Sequence, residues 1–293
     1  MRVSELFEKK AGKPIISFEF SRAKDVKAEA NLDKALVLLK AAEPDYVSVT
    51  FGAGGSTREG SFQLVDKLKN ELGFDVVAYI AGVGIGPDDV TECMDKFKDL
   101  GMETIFVIRG DPPTWDESYK PHPEAMTYAS ELIGFVKQRY DFCLGAAAYP
   151  EGHLEAESLE KDLEYVKLKQ DRGAEYIVAQ YFYDNQYFFD FVERARAAGV
   201  TVPIVPGIMP IYTVKMMENL ARLCGATITD AVREGLAKLP DDKGAVGQFG
   251  IDYATEQCRG LLRHGVSGLH FYTMNRGKTV STIVQTLREE GLL

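Results

Sequence analysis

The sequence has little that would hold a metal or a disulfide. Its four cysteines (Cys93, Cys143, Cys224, Cys258) lie far apart with no C-x-x-C, which reads as buried reduced thiols. Four histidines are scattered without ligand spacing, so no metal is expected. No apolar run approaches the ~20 residues that a membrane span requires. The N-terminal MRVSELFEKKAGKP mixes charges of both signs and lacks the apolar stretch of a signal peptide. A cytoplasmic protein with no membrane partner is the expectation. Positive charge is also scarce: a net charge of −10 would repel nucleic acid and acidic membranes. It leaves room for an anionic small molecule in a locally positive pocket.

What is present is an alternation of short apolar runs with longer amphipathic segments. The strand candidates are IISFEF (15–20), DYVSVTF (45–51), DVVAYIAGV (75–83), ETIFVIRG (103–110), CLGAAAYP (143–150), YIVAQYFY (176–183), PIVPGIM (203–209) and GLHFYTMN (268–275). Helical patterns separate them, several ending in Gly just before the next strand. Strands alternating with helices imply parallel pairing through right-handed crossovers, and eight is the number that closes a barrel. The expected fold is therefore α/β, a (β/α)₈ TIM barrel forming one domain over 1–293. Two or three extra helices should lie between 211 and 267, before the last strand. A doubly wound open sheet is the alternative from periodicity, but F-E-F-S-R-A stands where a G-x-G-x-x-G would follow the first strand.

Barrel enzymes carry their chemistry at the C-terminal ends of the strands. In IISFEF the alternation puts Ile15, Ser17 and Glu19 on one face and Ile16, Phe18 and Phe20 on the other. The all-apolar face should meet the helices, so Glu19 points into the barrel mouth. Lost solvation there favours the protonated form of a carboxyl and makes Glu19 a candidate general acid; a structural ion pair with Arg or Lys is the other reading. IRGDPP (108–113) ends strand four in a proline-stiffened turn that presents Arg109 and Asp111, with Gly110 allowing close approach. TFGAGGST (50–57) is a glycine-rich loop that could cradle phosphate, or simply a turn. AYPEGHLEAES (148–158) places Glu151, His153 and Glu155 at alternate positions, in what reads as a loop entering a helix with solvated carboxylates. The rings of YFYDNQYFFDF (181–191) read as core packing.

Taken in order, S-F-E-F, V-S-V-T-F-G-A, I-R-G-D-P-P, A-A-Y-P-E-G-H, A-Q-Y-F-Y-D, P-I-V-P-G-I-M-P and H-F-Y-T-M-N-R resemble the methylenetetrahydrofolate reductase family across nearly the whole chain. The resemblance is to the bacterial type, consisting of the catalytic barrel. It implies reduction of methylenetetrahydrofolate to methyltetrahydrofolate, with NADH or NADPH as co-substrate and FAD as the bound cofactor. It makes Glu19 the acid that protonates a leaving nitrogen as the folate ring opens. Asp111 becomes the carboxylate beside flavin and pterin, Gln180 the amide on the pterin and Arg276 a folate-side cation. By the same resemblance Thr50, Ala53, Arg109, Gly110, Asp111, Ala129, Tyr149, His153, Ala156, Asp162 and Lys169 are flavin-contacting positions. Relatives are commonly homo-oligomers, so a homo-oligomer is the expectation, with a redox partner subunit left open.

Three departures stand out. Ser21-Arg22-Ala23 replaces the F-P-P that many members carry after S-F-E-F. Tyr79 stands where many have a histidine that meets the flavin. Tyr165 and Leu168 occupy helix positions that are often polar in relatives. Direct hydride transfer without flavin therefore stays open. So do a pterin-binding barrel with no redox role and a flavin- and folate-binding subunit of a larger redox complex.

Overall fold

The structure, a computed structural model, describes all residues except 53, 54, 113–118 and 243, and only the backbone of 55–57. Among the described residues nine strands form one parallel sheet: β1 (Ile15–Phe20), β2 (Tyr46–Val49), β3 (Val76–Ala81), β4 (Thr104–Ile108), β5 (Cys143–Ala148), β6 (Ala174–Ala179), β7 (Ile204–Val205), β8 (Gly207–Ile208) and β9 (Gly268–Tyr272). Their order is β7-β6-β5-β4-β3-β2-β1-β9-β8. Because β7 and β8 flank Pro206, the chain itself joins the two ends of this order, and the barrel closes.

The seventh expected strand, PIVPGIM, is thus two short ones. Proline has no N–H to give to a ladder. Val205 lies opposite Val178 of β6, and Gly207 opposite His270 of β9. The Pro206 carbonyl accepts from the His270 N–H at 3.0 Å. Strand β1 coincides with IISFEF. Strand β6 begins two residues before YIVAQYFY and ends four before that run does, so the rings of YFY lie beyond it. The remaining strands are shorter than their apolar runs at one or both ends.

Eleven α-helices accompany the sheet among the described residues: α1 (Val3–Lys9), α2 (Val26–Ala41), α3 (Gly55–Asp66, continued as a π-helix over Lys67–Glu71), α4 (Pro87–Asp99), α5 (Ala129–Lys137), α6 (Leu159–Asp171), α7 (Asn185–Ala197), α8 (Val214–Cys224), α9 (Asp230–Ala237), α10 (Ala245–Arg263) and α11 (Gly277–Glu289). Asp25, Ser158, Asp184, Thr213 and Thr229 each accept a backbone N–H as N-caps, satisfying donors that a helix start leaves open. The expected extra helices before the last strand are α8, α9 and α10.

Strand alternation sorts the interior into two layers. Ile16, Phe18 and Phe20 join the core between sheet and helices, as their spacing predicts. Ile15, Tyr46, Val77, Tyr79, Phe106, Cys143, Tyr176 and Val178 fill the barrel itself. Gly145 makes this filling possible: a Cβ there would fall on the Tyr176 ring and 2.5 Å from Phe106 Cδ2.

Helix α1 covers the N-terminal end. Val3, fully buried, joins the interior cluster, and its N–H reaches Thr104 Oγ1 at 3.2 Å. Ser4 donates to Glu175 at 2.7 Å, and the terminal amine of Met1 pairs with Glu103. With one end covered, the C-terminal strand ends are left as the mouth.

Candidate active site

The polar residues at the mouth are held there by neighbouring strand exits. Thr273 Oγ1 donates to the Glu19 carbonyl at 2.6 Å, and Asn275 pairs with both backbone groups of Ser21 at 3.1 and 2.7 Å. To make this bolt the chain takes Met274 and Asn275 through φ values of 50° and 54°, where residues with a Cβ are uncommon. The exits of β1 and β9 are thereby fixed together, with Glu19 at the junction.

The Glu19 side chain is 17% exposed, and its Oε2 lies 4.0 Å from His270 Nε2. No Lys or Arg pairs with it among the described residues, so the ion-pair reading has no partner. Below it, Ser17 Oγ meets His270 Nδ1 at 2.8 Å, both residues being buried. The phenols of Tyr79 and Tyr272 flank it. Burial raises both well above the ordinary tyrosine value, and the Glu19 charge adds to that. Tyr79 is also stacked on Phe106, with centroids 4.5 Å apart. It belongs to the barrel filling.

A second cluster spans the exits of β4 and β5 and the start of α6. Arg109 grips Glu155 with both terminal nitrogens, and its Nη2 lies 3.8 Å from Asp111. Glu155 is solvated, as expected, and also holds an ion pair; Glu151 accepts the Thr227 N–H at 3.1 Å. Gly110 has φ 78°, and a Cβ there would come 2.9 Å from Ala81 Cβ, so glycine is required.

Tyr149 stands edge-on to His153 at 4.7 Å, its phenol pushed up to about 12 by burial and by the nearby Cys224 and Asp111. His153 Nδ1 accepts the Glu155 N–H at 3.1 Å, which leaves Nε2 to carry the hydrogen. Burial, followed by the Arg109 charge, lowers the His153 pKa. Asp162 accepts the His153 N–H at 3.3 Å. Asp162 and Lys169 form a desolvated pair: burial raises the carboxyl and lowers the amine, while their mutual attraction opposes both shifts. Lys169 Nζ donates to the Ala147 carbonyl at 2.9 Å.

The remaining residues expected at the site are dispersed around the mouth. Thr50 is half-buried, its carbonyl accepting from Ser61 at 3.1 Å. Gln180 is half-buried, and its Oε1 accepts the Tyr181 N–H at 3.1 Å. Arg276 is exposed, its guanidinium 5.2 Å from the centre of the Tyr212 ring. Ala129 is buried at the first position of α5, and the Ala156 N–H closes a turn onto the His153 carbonyl at 2.9 Å. Asp111, expected beside the ring system, is 93% exposed at the rim. Ala53 and Pro113 lie outside the described residues.

Around the second cluster Tyr128, Leu154, Tyr165 and Leu168 are exposed, an apolar fringe to an otherwise charged site. Among the described residues no group of three His, Cys, Asp or Glu side chains has metal-binding geometry. Sequence reasoning missed His270. Its alternation with Tyr272 on β9 was the available signal, since both must face the way Glu19 faces.

Residues 3–288 match the family described as methylenetetrahydrofolate reductase. The chain belongs to that family. It is 31% identical over 272 residues to the 5,10-methylenetetrahydrofolate reductase of Escherichia coli, covering 93% of this chain and 90% of that one. It is 32% identical to methylenetetrahydrofolate reductase 1 of Schizosaccharomyces pombe over 94% of this chain and 46% of the yeast protein. It is 31% identical to an Arabidopsis thaliana reductase whose name specifies NADH, over 94% and 48%. The chain therefore spans about half the length of these eukaryotic relatives. Among solved structures, an uncharacterized Clostridium thermocellum protein described as binding two copies of 5-methyl-5,6,7,8-tetrahydrofolic acid aligns over 98% of both chains. Its TM-score is 0.67 at 14% identity, a likeness of fold. The reductase family thus has its barrel here, with Glu19 at the mouth.

Proposed function

We propose that this member of the reductase family converts 5,10-methylenetetrahydrofolate to 5-methyltetrahydrofolate with electrons from NADH or NADPH through bound FAD. The observation that carries the reading is Glu19, an inward carboxyl at the mouth of a barrel matched to the family from residue 3 to residue 288.

Glu19 gives its proton to the leaving nitrogen as the five-membered folate ring opens. Asp111, on the rim, brings negative charge towards the iminium cation that opening creates. Gln180 has a donor and an acceptor for the pterin edge once it leaves the Tyr181 N–H. Arg276, without a carboxylate partner among the described residues, receives the carboxylate tail of the folate.

The donors of the second cluster fit FAD. The Arg109 guanidinium and Lys169 amine suit phosphate or ring oxygens, and His153 has a free Nε2–H. Thr50, Ala53, Gly110, Asp111, Ala129, Tyr149, Ala156 and Asp162 complete the proposed contacts. When bound, FAD supplies hydride transfer between nicotinamide and folate. A second reading, direct hydride transfer without flavin, is favoured by Tyr79 lying in the barrel filling and by Tyr165 and Leu168 being exposed on α6. The same barrel is proposed to be one catalytic domain, active in the cytoplasm as a homo-oligomer.

An anaerobic absorption spectrum separates the readings. A flavin band that bleaches with NADH or NADPH and returns with methylenetetrahydrofolate is expected. A protein that neither carries nor takes up FAD, yet reduces the folate, would move the assignment to direct transfer. Neither flavin nor folate turnover would overturn both.

A further inference from the structure

Beneath Glu19 lies a polar pair that the proposed reaction does not yet use. The parallel register of β1 and β9 sets Ser17 opposite His270 and Glu19 opposite Tyr272. Because both strands alternate, Ser17, Glu19, His270 and Tyr272 all face the interior. His270 is 1% exposed and Ser17 fully buried. One imidazole nitrogen is accounted for: Nδ1 lies 2.8 Å from the Ser17 hydroxyl. The other, Nε2, is buried with no hydrogen-bond partner among the described residues, and it faces Glu19 Oε2 at 4.0 Å. A buried nitrogen left unpaired in a barrel core is costly, and such an atom calls for a reason.

We infer that His270 positions the carboxyl of Glu19, and that Ser17 fixes the imidazole in the tautomer that does so. The inference rests on Glu19 being the acid of the proposed reaction. The Ser17 hydroxyl donates to Nδ1, so Nε2 carries the hydrogen and points at Glu19. The separation of 4.0 Å is too long for a hydrogen bond, but catalytic hydrogen bonds tighten when substrate closes a site. During turnover one proton passes from Glu19 to the folate nitrogen, and the carboxylate left behind accepts the Nε2–H. Glu19 regains a proton from water at the mouth after product leaves. His270 neither gains nor loses a proton in the cycle. It holds one carboxyl rotamer and steadies its charged form.

The groups facing this pair are phenols. Tyr272 stands edge-on to His270 with centroids 5.2 Å apart on β9, Tyr46 faces it from β2 and Tyr79 from β3. Burial raises all three, so they stay neutral through the range in which a carboxyl titrates. Arg109 and Asp111 on the β4 exit, Glu151 and Glu155 after β5, and Arg276 on the β9 exit are charged residues around the mouth. A limb on which the rate falls as pH rises, and which moves with His270, is therefore attributable to Glu19, which must hold its proton to act.

The test compares His270→Ala, His270→Gln, Ser17→Ala and Glu19→Gln in steady-state reduction of methylenetetrahydrofolate across pH, with FAD supplied and folding checked by circular dichroism. His270→Ala should lower kcat by about tenfold or more with little change in KM for the folate, and should shift the limb set by Glu19. His270→Gln keeps an N–H near the Nε2 position and should recover most of the rate; Ser17→Ala should lie between. A wild-type kcat and pH limb in folded His270→Ala would overturn the inference. So would a Gln variant as impaired as the Ala variant, since that marks mere packing. If His270→Ala does not fold, Ser17→Ala and His270→Gln decide in the same way. Wild-type folate reduction by Glu19→Gln would instead sink the acid assignment beneath it.

Discussion

Arg109 and Glu155, 46 residues apart in sequence, face each other fork to fork, both guanidinium nitrogens on both carboxylate oxygens. This pair ties the exit of β4 to the loop after β5. The arginine keeps the glutamate below its ordinary carboxyl value. Its folded pKa being depressed, the clamp is present above the unfolded carboxyl pKa and lost as pH falls through the folded one.

Loss of the clamp should loosen the proposed flavin site more than the fold. Glu155 is largely exposed, so its contribution to stability is screened. Glu155→Ala should weaken FAD binding by about two- to fivefold through lost preorganisation. Arg109→Ala, which removes the cation itself, should weaken it by about tenfold or more. Flavin fluorescence titration reads both, and an unchanged affinity in Arg109→Ala would remove that residue from the cofactor site.

The cover at the other end of the barrel makes its own pH prediction. Burial pushes the Glu175 carboxyl up, but hydrogen bonds from Lys137 and Ser4 and the charge of Arg2 hold it below the usual value. Its stabilising contribution is thus full above the ordinary value of 4.5 and disappears as pH falls through the lower folded value. Glu175→Gln should cost about 1–2 kcal/mol at neutral pH and less in acid. Denaturant melts at two pH values check this; an equal loss at both would mean the charge is irrelevant.

Gly145 is the test of the interior packing. An added methyl would meet Tyr176 and Phe106, two rings already 5.9 Å apart between centroids. Neither has solvent to move into. Gly145→Ala should destabilise by about 1–3 kcal/mol, visible as a lower melting temperature. A neutral result would show that the rings can repack.

The fold was legible because its signals are local. Alternation in IISFEF put Phe18 and Phe20 against the helices and Glu19 at the mouth, and the eight apolar runs fell on eight wall positions. Pro206 was visible too, but whether a proline ends a strand or divides it between two neighbours depends on partners far along the chain. The expected site residues do gather at the strand exits, yet their pairings were hidden. That Glu155, though exposed, would hold Arg109 needs the β4 and β5 exits side by side. His270 escaped for the same reason: a lone histidine in an apolar run gains meaning only when register sets it beside Ser17. Asp111, by contrast, was legible as a motif residue, but its 93% exposure at the rim was not, since exposure depends on what surrounds the strand exit.

The divided seventh strand has a consequence for how the wall is joined. On one side of Pro206, Ile204 and Val205 pair with β6; on the other, Gly207 and Ile208 pair with β9. Gly207 lets the Tyr272 ring pass close by, and the Tyr272 hydroxyl reaches across to the Ala179 carbonyl at 3.3 Å. A side chain thus spans a seam that elsewhere in the wall is stitched by backbone. A polypeptide nicked at this proline would keep each half-strand zipped to its own neighbour, making it a natural place to divide the gene into two complementing fragments.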